Sequence, residues 1–309
     1  MHSSAEVHLS GPRYVLGEIE EDHTAIAGLA ERAERFKLVM NPQLWGWGTY
    51  RRTERSLEDL AVDSGRATLA ASGVDPGTID AVLVCSTFVP GPSEGHGKFM
   101  ETVLSGLGVG DVPYYGQTLN RCVNFLAALD LARTLVVAGR YQRLLVVTTD
   151  RVVDERLRMA SFALFCDGAA SCVVSADDCG QDAYRLLGCA SAQETKTLDW
   201  TNEISSDLAR EANARLLAPH GVKLGDVRAL MHANIFKPLV AMKERQAGYS
   251  ADQLYLDNIS KNGHCFAADP VVNLVDRAAL GHVPEGALAV LATSVPGSRC
   301  SALLQKLDH

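Results

Sequence analysis

Apolar and polar residues are arranged so that helices and strands are predicted in alternation along much of the chain. Residues 60–72 and 123–138 have apolar positions at helical spacing, and the second helix ends at Gly139, a natural left-handed cap. Residues 81–85 and 144–149 are short continuous apolar runs, typical of parallel strands that are covered on both faces. The alternation therefore predicts an α/β protein.

The dipeptide Asp167-Gly168 separates two further apolar runs, 162–165 and 169–174. Asp-Gly is favoured in two-residue turns because both central positions need a left-handed backbone. This pattern predicts a β-hairpin.

The second half of the chain repeats the order of the first. Residues 60–83 align without gaps on residues 208–231, an offset of 148 positions, and eight aligned residues are identical. Two amphipathic helices can share apolar positions by chance, but these segments also share a Gly-Val-x-x-Gly loop. We therefore predict a duplicated α/β unit, with an N-terminal half of residues 1–175 and a C-terminal half of residues 176–309.

A second pairing links three reactive side chains. Cys122 lies 17 residues before Gly139, and His264 lies 17 residues before Gly281. The two residues are thus predicted to open equivalent helices, while His232 follows a predicted strand directly. Because ligands of α/β proteins bind at the carboxyl ends of the strands, near helix N-termini, we expect these three side chains to converge.

The position of Cys122 favours a nucleophile. Unpaired N–H groups and the dipole at a helix start stabilise a thiolate. The alternative is a buried structural cysteine, although the polar neighbours Asn120, Arg121 and Asn124 are unusual for a core. For His232 and His264, taken singly, a hydrogen-bonded structural role is the commoner interpretation and a catalytic role the less common one.

Composition narrows the choice of function. The chain has 309 residues, 47% hydrophobic and 21% charged, with a net charge of −8, which excludes a disordered class and argues against a nucleic-acid surface. No apolar run approaches the roughly 18 residues that span a bilayer, and the N-terminus lacks the pattern of a signal peptide. The eight cysteines contain no Cys-x-x-Cys pair, so we expect no bound metal, no disulfide scaffold and a cytoplasmic location.

Four ordered motifs resemble the thiolase superfamily, and most closely β-ketoacyl-acyl-carrier-protein synthase III. Residues 118–132 resemble the nucleophile helix of that family, and residues 165–171 resemble its Phe-Gly-Asp-Gly-Ala-Gly-Ala turn. Residues 231–234 are similar to a shortened Pro-His-Gln-Ala-Asn, and residues 258–269 to the segment that carries Gly-Asn-Thr-Ser-Ala-Ala. The resemblance implies a five-layer αβαβα thiolase fold built from two duplicated halves.

The resemblance also implies roles for single residues. Cys122 would be the acyl-accepting cysteine and His232 the catalytic histidine, while His264 stands where the family has asparagine. The glycine-rich C-terminal loop is reduced to residues 295–298, which leaves Gly297, together with the N–H of Cys122, as the expected oxyanion hole. The resemblance implies a thioester of acyl carrier protein or coenzyme A as the donor. Around Trp45 no pattern for gripping a coenzyme A adenine is recognisable, which favours a carrier-protein-bound or unusual thioester.

The expected activity is acyl transfer through a cysteine acyl-enzyme, most simply by a condensing enzyme of fatty-acid or polyketide metabolism. One alternative is a thiolase-fold acyltransferase that forms an ester or amide. Another is a catalytically silent partner subunit of a heterodimeric ketosynthase. No permanently bound cofactor is expected. The resemblance implies a homodimer that forms through the strand after the nucleophile helix, here 144–149, which would otherwise leave an exposed sheet edge.

Overall fold

The computed structural model describes residues 6–88, 91–180, 182–199 and 205–308; residues 1–5, which bear on the signal-peptide expectation, lie outside these ranges. The strands are β1 (His8–Leu16), β2 (Ile19–Asp22), β3 (Thr49–Arg52), β4 (Ala81–Cys85), β5 (Tyr114–Gln117), β6 (Arg143–Asp150), β7 (Gly168–Ser175), β8 (Ala183–Gln193), β9 (Val227–Met231), β10 (Leu288–Val295) and β11 (Ser298–Lys306). The α-helices are α1 (Leu29–Arg35), α2 (Pro42–Trp45), α3 (Leu57–Ser72), α4 (His96–Leu107), α5 (Asn124–Val137), α6 (Ser206–Leu217), α7 (Lys237–Gln246), α8 (Asp257–Lys261) and α9 (Asp269–Ala279).

Nine strands form one mixed sheet in the order β5-β4-β6-β7-β1-β8-β11-β10-β9, and β2 pairs with β3 separately. The β4–β5, β4–β6 and β9–β10 pairs are parallel, and the remaining pairs are antiparallel. Strand β1 pairs with β7 along most of its length and with β8 only through residues 8–10. This short pairing is where the two halves of the sheet join.

The helices lie in three layers around the two halves of the sheet. Helices α3 and α4 pack with β4, β6 and β7 on one outer side, and α6 packs with β9, β10 and β11 on the other. Helices α5 and α9 share one core cluster with strands of both halves, so they form the central layer. The five-layer thiolase fold predicted from the sequence is confirmed. In the described ranges no helix is long and apolar enough to cross a membrane.

The repeated segments begin and end at matching signals. Helix α3 is capped by Ser56, whose hydroxyl accepts from the N–H of Asp59, and the Gly73 that follows it has φ 65°. Helix α6 is capped by Ser205, and the Gly221 beyond it also has φ 65°. Such left-handed positions favour glycine, which explains why both copies carry it.

The order of elements in the C-terminal half repeats that of the N-terminal half with one reduction. The series β1-α3-β4-α4-β5-α5-β6-β7 corresponds to β8-α6-β9-α7 followed by α9-β10-β11. In place of a second β5, the C-terminal half has a single parallel bridge between Leu230 and Leu254. The domain boundary near residue 175 stays a prediction.

The position of the strand predicted to mediate dimerisation differs from expectation. Strand β6, which contains residues 144–149, pairs with β4 on one side and β7 on the other, so it lies inside the sheet. An apolar run shows that a strand is covered but does not give its place in the order of the sheet. The exposed edge is instead β5, where Tyr114 is 50% exposed. The homodimer stays a prediction, with β5 as the edge available for it.

The hairpin predicted at Asp167 and Gly168 is wrong. Gly168 begins β7, and a Cβ atom there would lie 2.6 Å from the carbonyl oxygen of Val15, so glycine is needed for close approach rather than for a turn. Asp167 is fully buried and pairs with Arg158 through two contacts of 2.6 and 3.1 Å. Its carboxylate also accepts the N–H of Thr53 at 2.9 Å, which ties β7 to the β3 region.

Candidate active site

Cys122 and His264 line the same cavity, which has a volume of about 1150 Å³. Aromatic side chains form much of the wall near them, and Phe165 stacks on Phe266 with ring centroids 4.8 Å apart. The His264 ring lies 5.4 Å from that of Phe165. The expectation that these two residues converge, drawn from the paired helix starts, agrees with this placement.

A strained turn presents Cys122 to the cavity. Cys122 is half-buried in the 3₁₀ turn Arg121–Val123, which leads directly into α5. Leu119 and Arg121 have φ values of 59° and 54°, a left-handed backbone that costs an L residue about 1–2 kcal/mol. Arg121 donates to the carbonyl of Pro296 at 2.8 Å, a tertiary contact that holds the turn. Strain of this kind is frequent at functional sites.

His264 is held by backbone pairing rather than by a helix start. Its N–H donates to Leu164 at 2.7 Å, and its carbonyl accepts from Cys166 at 2.8 Å. The residue lies five positions before the first residue of α9, so the prediction that it opens that helix is wrong. The segment stays extended because it pairs in parallel with Phe165 of the N-terminal half.

The residue that opens α9 is Asp269, which sequence reasoning did not single out. Its buried carboxylate forms a short contact with Nδ1 of His264 and accepts the N–H of Cys265 at 2.7 Å and that of Asn234 at 2.6 Å. With Nδ1–H directed at Asp269, Nε2 is left for the hydrogen bond between His264 and the Cys122 side chain. An aspartate at a helix start five residues beyond a candidate histidine was the available signal.

Two neighbours set the charge of His264. Burial alone would lower the pKa of this side chain, but the Asp269 carboxylate and the Cys122 side chain outweigh burial and raise the pKa to about 10. Asp269, His264 and Cys122 therefore form a line in which a carboxylate orients an imidazole against a thiol. This is the arrangement that activates a cysteine nucleophile.

His232 directly follows β9, as predicted, but it does not line the cavity. The side chain is 1% exposed, its Nδ1 lies 2.8 Å from the carbonyl oxygen of Ala233, and its Nε2 has no hydrogen-bond partner among the described residues. Burial lowers the pKa of His232, so the ring is neutral near pH 7. The structure thus brings together two of the three predicted side chains and adds Asp269.

The region around His232 nevertheless supports the site. Asn273 donates from its amide to the carbonyl of His232 at 2.8 Å and to the side-chain oxygen of Asn234 at 2.9 Å. Asn234 in turn donates its N–H to Asp269. The His-Ala-Asn segment therefore fixes the carboxylate that orients His264.

Comparison with known proteins finds similarity to synthase III over part of the chain, in agreement with the resemblance seen in the sequence. Residues 118–194 match the family model described as 3-oxoacyl-[acyl-carrier-protein (ACP)] synthase III. The β-ketoacyl-ACP synthase III 3 of Streptomyces coelicolor is 32% identical over 126 residues, which are 40% of this chain and 36% of that protein. The corresponding synthase of Solibacter usitatus is 26% identical over 137 residues, 43% of this chain and 40% of that protein. The chain thus spans about two fifths of these curated relatives.

Solved structures match over nearly the whole chain. ChlB3, described as an acyltransferase, has a TM-score of 0.85 at 18% identity and covers 98% of both chains. The synthase III of Aquifex aeolicus has a TM-score of 0.78 at 17% identity, covering 97% of this chain and 99% of that one. A variant of OleA from Xanthomonas campestris bound with cerulenin has a TM-score of 0.81 at 18% identity, covering 97% and 96%. The chain is thus similar to 3-oxoacyl-ACP synthases III over part of its length, and it shares its fold with the solved structures over nearly all of it.

Gly297 lies in the turn between β10 and β11 with φ 70°. Its carbonyl accepts from Glu194 at 2.9 Å, and a Cβ atom there would lie 2.7 Å from the backbone nitrogen of Leu198. Val295 and Pro296 line the cavity, whereas Gly297 itself does not. The oxyanion role of Gly297 stays a prediction.

A second buried carboxylate, Asp150, organises the cavity segment that contains Thr87. Asp150 accepts from the N–H of Thr87 at 2.6 Å and from the hydroxyl of Ser86 at 3.2 Å. Burial raises the pKa of Asp150 to about 7 even though these hydrogen bonds oppose the rise.

The tryptophans considered as a coenzyme A contact pack against Phe236, with Trp45 half-buried. Trp45 and Trp47 lie with ring centroids 5.7 and 5.9 Å from that of Phe236, and Trp47 is buried.

Within the described ranges no group of three or more histidine, cysteine or acidic side chains is placed to hold a metal ion.

Proposed function

We propose that this protein transfers an acyl group from a thioester, through an acyl-enzyme on Cys122, to a hydroxyl or amine of a second substrate. The observation that supports this proposal is the Asp269–His264–Cys122 line at the wall of one cavity. An imidazole that contacts both a carboxylate and the nucleophile can carry one proton through both halves of such a reaction.

In the first step, Cys122 has given its proton to His264, and its sulfur attacks the carbonyl carbon of the thioester. The carbon–sulfur bond of the donor breaks as the bond to Cys122 forms. The donor thiolate leaves with the proton that His264 returns, so His264 is neutral at the end of the step. Backbone N–H groups, for which Cys122 and Gly297 are the candidates, would stabilise the oxyanion, and losing one such donor costs roughly 100–1000-fold in rate.

In the second step, neutral His264 takes the proton from the hydroxyl or amine of the acceptor. The oxygen or nitrogen attacks the acyl carbon, and Cys122 leaves as a thiolate beside protonated His264, which restores the starting state. Asp269 keeps the imidazole in the required tautomer throughout. One histidine is sufficient for this cycle.

Carbon–carbon condensation is a second candidate because the curated relatives are β-ketoacyl-ACP synthases III. A decarboxylating condensation needs hydrogen-bond donors on the thioester carbonyl of the malonyl unit, and His232 and His264 are the candidate pair for this role. His232 lies outside the cavity lining, and this placement favours the oxygen or nitrogen acceptor. Release of carbon dioxide from a malonyl donor would establish condensation instead.

Intact-protein mass spectrometry after incubation with coenzyme A and carrier-protein thioesters tests the acyl-enzyme. We expect a single acyl adduct on the wild type and none on Cys122→Ala. Cys179→Ala removes another half-buried thiol and is the matched control, which should load normally. An adduct that persists on Cys122→Ala would refute the nucleophile. Failure of every thioester to load would leave the silent partner subunit as the better interpretation.

A further inference from the structure

A buried charge cluster forms another part of the cavity wall. Lys243 on α7 lines the cavity and is 5% exposed. Its Nζ lies 2.9 Å from a carboxylate oxygen of Glu244, which is fully buried. Arg299 on β11 binds the same carboxylate through two contacts of 2.7 and 3.1 Å. Neither the acyl-enzyme step nor the proton transfers described above use these residues.

The cluster places two basic side chains, Lys243 and Arg299, against the one carboxylate of Glu244. Burial alone would raise the pKa of Glu244, but Arg299 and Lys243 lower it to about 2, so its carboxylate stays ionised. The neighbouring ring of His232 is neutral. Burial and the neighbouring Arg299 lower the pKa of Lys243, although Glu244 opposes the change, so a charged ammonium is costly in this place withdrawn from water. An anionic ligand would remove that cost.

Lys243 has hydrogen-bond capacity left for such a ligand. An ammonium group has three N–H donors, and within the described ranges Glu244 is the acceptor that lies within reach of Nζ. Arg299, by contrast, spends its two terminal nitrogens on Glu244 and donates also to the hydroxyl of Ser294 at 3.0 Å. Of the two cations, Lys243 is the one in the cavity lining.

We propose that Lys243 binds a carboxylate of the acceptor, so that the second substrate is an anionic hydroxy or amino compound. This inference rests on the proposed acyl transfer. Arg35 and Lys37 are exposed at the same cavity and suit the phosphates of a bulky carrier or coenzyme A donor, which stay near solvent. A cation that is almost fully buried suits the smaller substrate. The acidic groups Asp199 and Asp207 of this cavity are both exposed.

The first test measures the electrostatic potential at Cys122 and does not depend on catalytic turnover. The Cys122 thiolate displaces iodide from iodoacetate, which is anionic, and from iodoacetamide, which is neutral, and the ratio of the two rate constants reports the local potential. We expect Lys243→Met to lower this ratio about tenfold, since the lost charge acts through a weakly polar medium. Lys243→Arg should keep the ratio, and Lys37→Met should change it less than twofold, because the Lys37 side chain is exposed.

Lys243→Met leaves Glu244 paired with Arg299, so the variant is expected to fold. An unchanged ratio in a folded Lys243→Met protein would overturn the proposal whatever the enzyme catalyses. If that variant does not fold, the comparison of Lys243→Arg with wild type decides: a ratio lowered as far as tenfold by a charge-preserving change would contradict the charge assignment.

The second test uses acceptors that differ in one carboxylate. Cys122 is loaded with an acyl group, and its discharge is followed with hydroxyhexanoate and with the methyl ester of hydroxyhexanoate. In the wild type the acid should discharge the adduct at least tenfold faster than the ester at equal concentration, and Lys243→Met should remove this preference without slowing loading. Slower loading from coenzyme A thioesters with no change in acceptor preference would assign Lys243 to donor phosphates and overturn the proposal. Absence of any adduct would refute the proposed function instead, while the alkylation ratio would still decide the role of Lys243.

Discussion

His264 and His232 are the same residue type, each is 1% exposed, and both come from the C-terminal half, yet their pKa values move in opposite directions. Nδ1 of His264 meets the carboxylate of Asp269, whereas Nδ1 of His232 meets a backbone carbonyl. Burial lowers the pKa of both rings, and the carboxylate together with Cys122 reverses the effect for His264 alone. The partner of a buried histidine, rather than its burial, decides whether it can hold a proton.

The largest effect should come from replacing the two histidines in parallel. His264→Ala should lower turnover by about 100–10000-fold, because Cys122 loses the group that takes its proton and the acceptor loses its base, and any acyl adduct that forms on Cys122 should persist. His232→Ala should lower turnover less than about tenfold. His264→Asn should be nearly as slow as His264→Ala, since an amide cannot take a proton. Steady-state rates and the mass of the trapped enzyme are measured for all three variants. Equal losses of turnover at both histidines would contradict the different roles assigned to them.

Replacing the carboxylate should make His264 behave like His232. In Asp269→Asn the pKa of His264 should fall from about 10 and the tautomer should no longer be fixed, so turnover should drop about a hundredfold or more. NMR titration of the imidazole measures the first change and kinetics the second. Asp276→Asn is the control, because Asp276 is a second aspartate of α9 that bonds Tyr14 and Asn258 instead. A His264 pKa that stays near 10 in Asp269→Asn would show that Asp269 is not its cause.

The same comparison predicts how stability depends on pH. The pKa of His264 is raised from 6.5 to about 10 in the folded state, so its contribution to stability is complete below pH 6.5 and is lost as pH rises to about 10. Urea unfolding of the wild type should therefore show a decline across this range that is smaller in His264→Asn. Parallel wild-type and His264→Asn curves would mean that the folded protein does not hold this proton.

The smallest effect is expected for His232→Gln. Its Nε2 has no partner among the described residues, so replacing the ring should disturb packing more than hydrogen bonding. We expect the adduct yield on Cys122 to stay unchanged and the free energy of unfolding to fall by about 1–2 kcal/mol. Loss of acyl loading in a folded His232→Gln protein would place His232 in the first step and reverse its assignment.

The sequence predicted those parts of the site that depend on local order. The helix after Cys122, the strand before His232 and the repeated Gly73 loop follow from spacing, and the structure has each of them. The pairing of His264 with Asp269 could not be predicted, because it depends on an extended segment held by a loop of the other half. The failed hairpin at Gly168 has a related cause, since a glycine required for close tertiary approach has the same local signature as a turn.

The reduced C-terminal half has a consequence for self-association. The outer side of β9 meets Leu254, and the Gln253 side chain donates to the carbonyl of Val227 at 2.6 Å, so that end of the sheet is partly covered. The opposite end, β5, is exposed. A chain whose sheet has one exposed edge strand can pair only that strand with the same strand of a second copy. Such pairing gives a closed dimer and prevents growth into a filament. For a homodimer that forms through β5, the partly covered β9 end would thus limit the assembly to two chains.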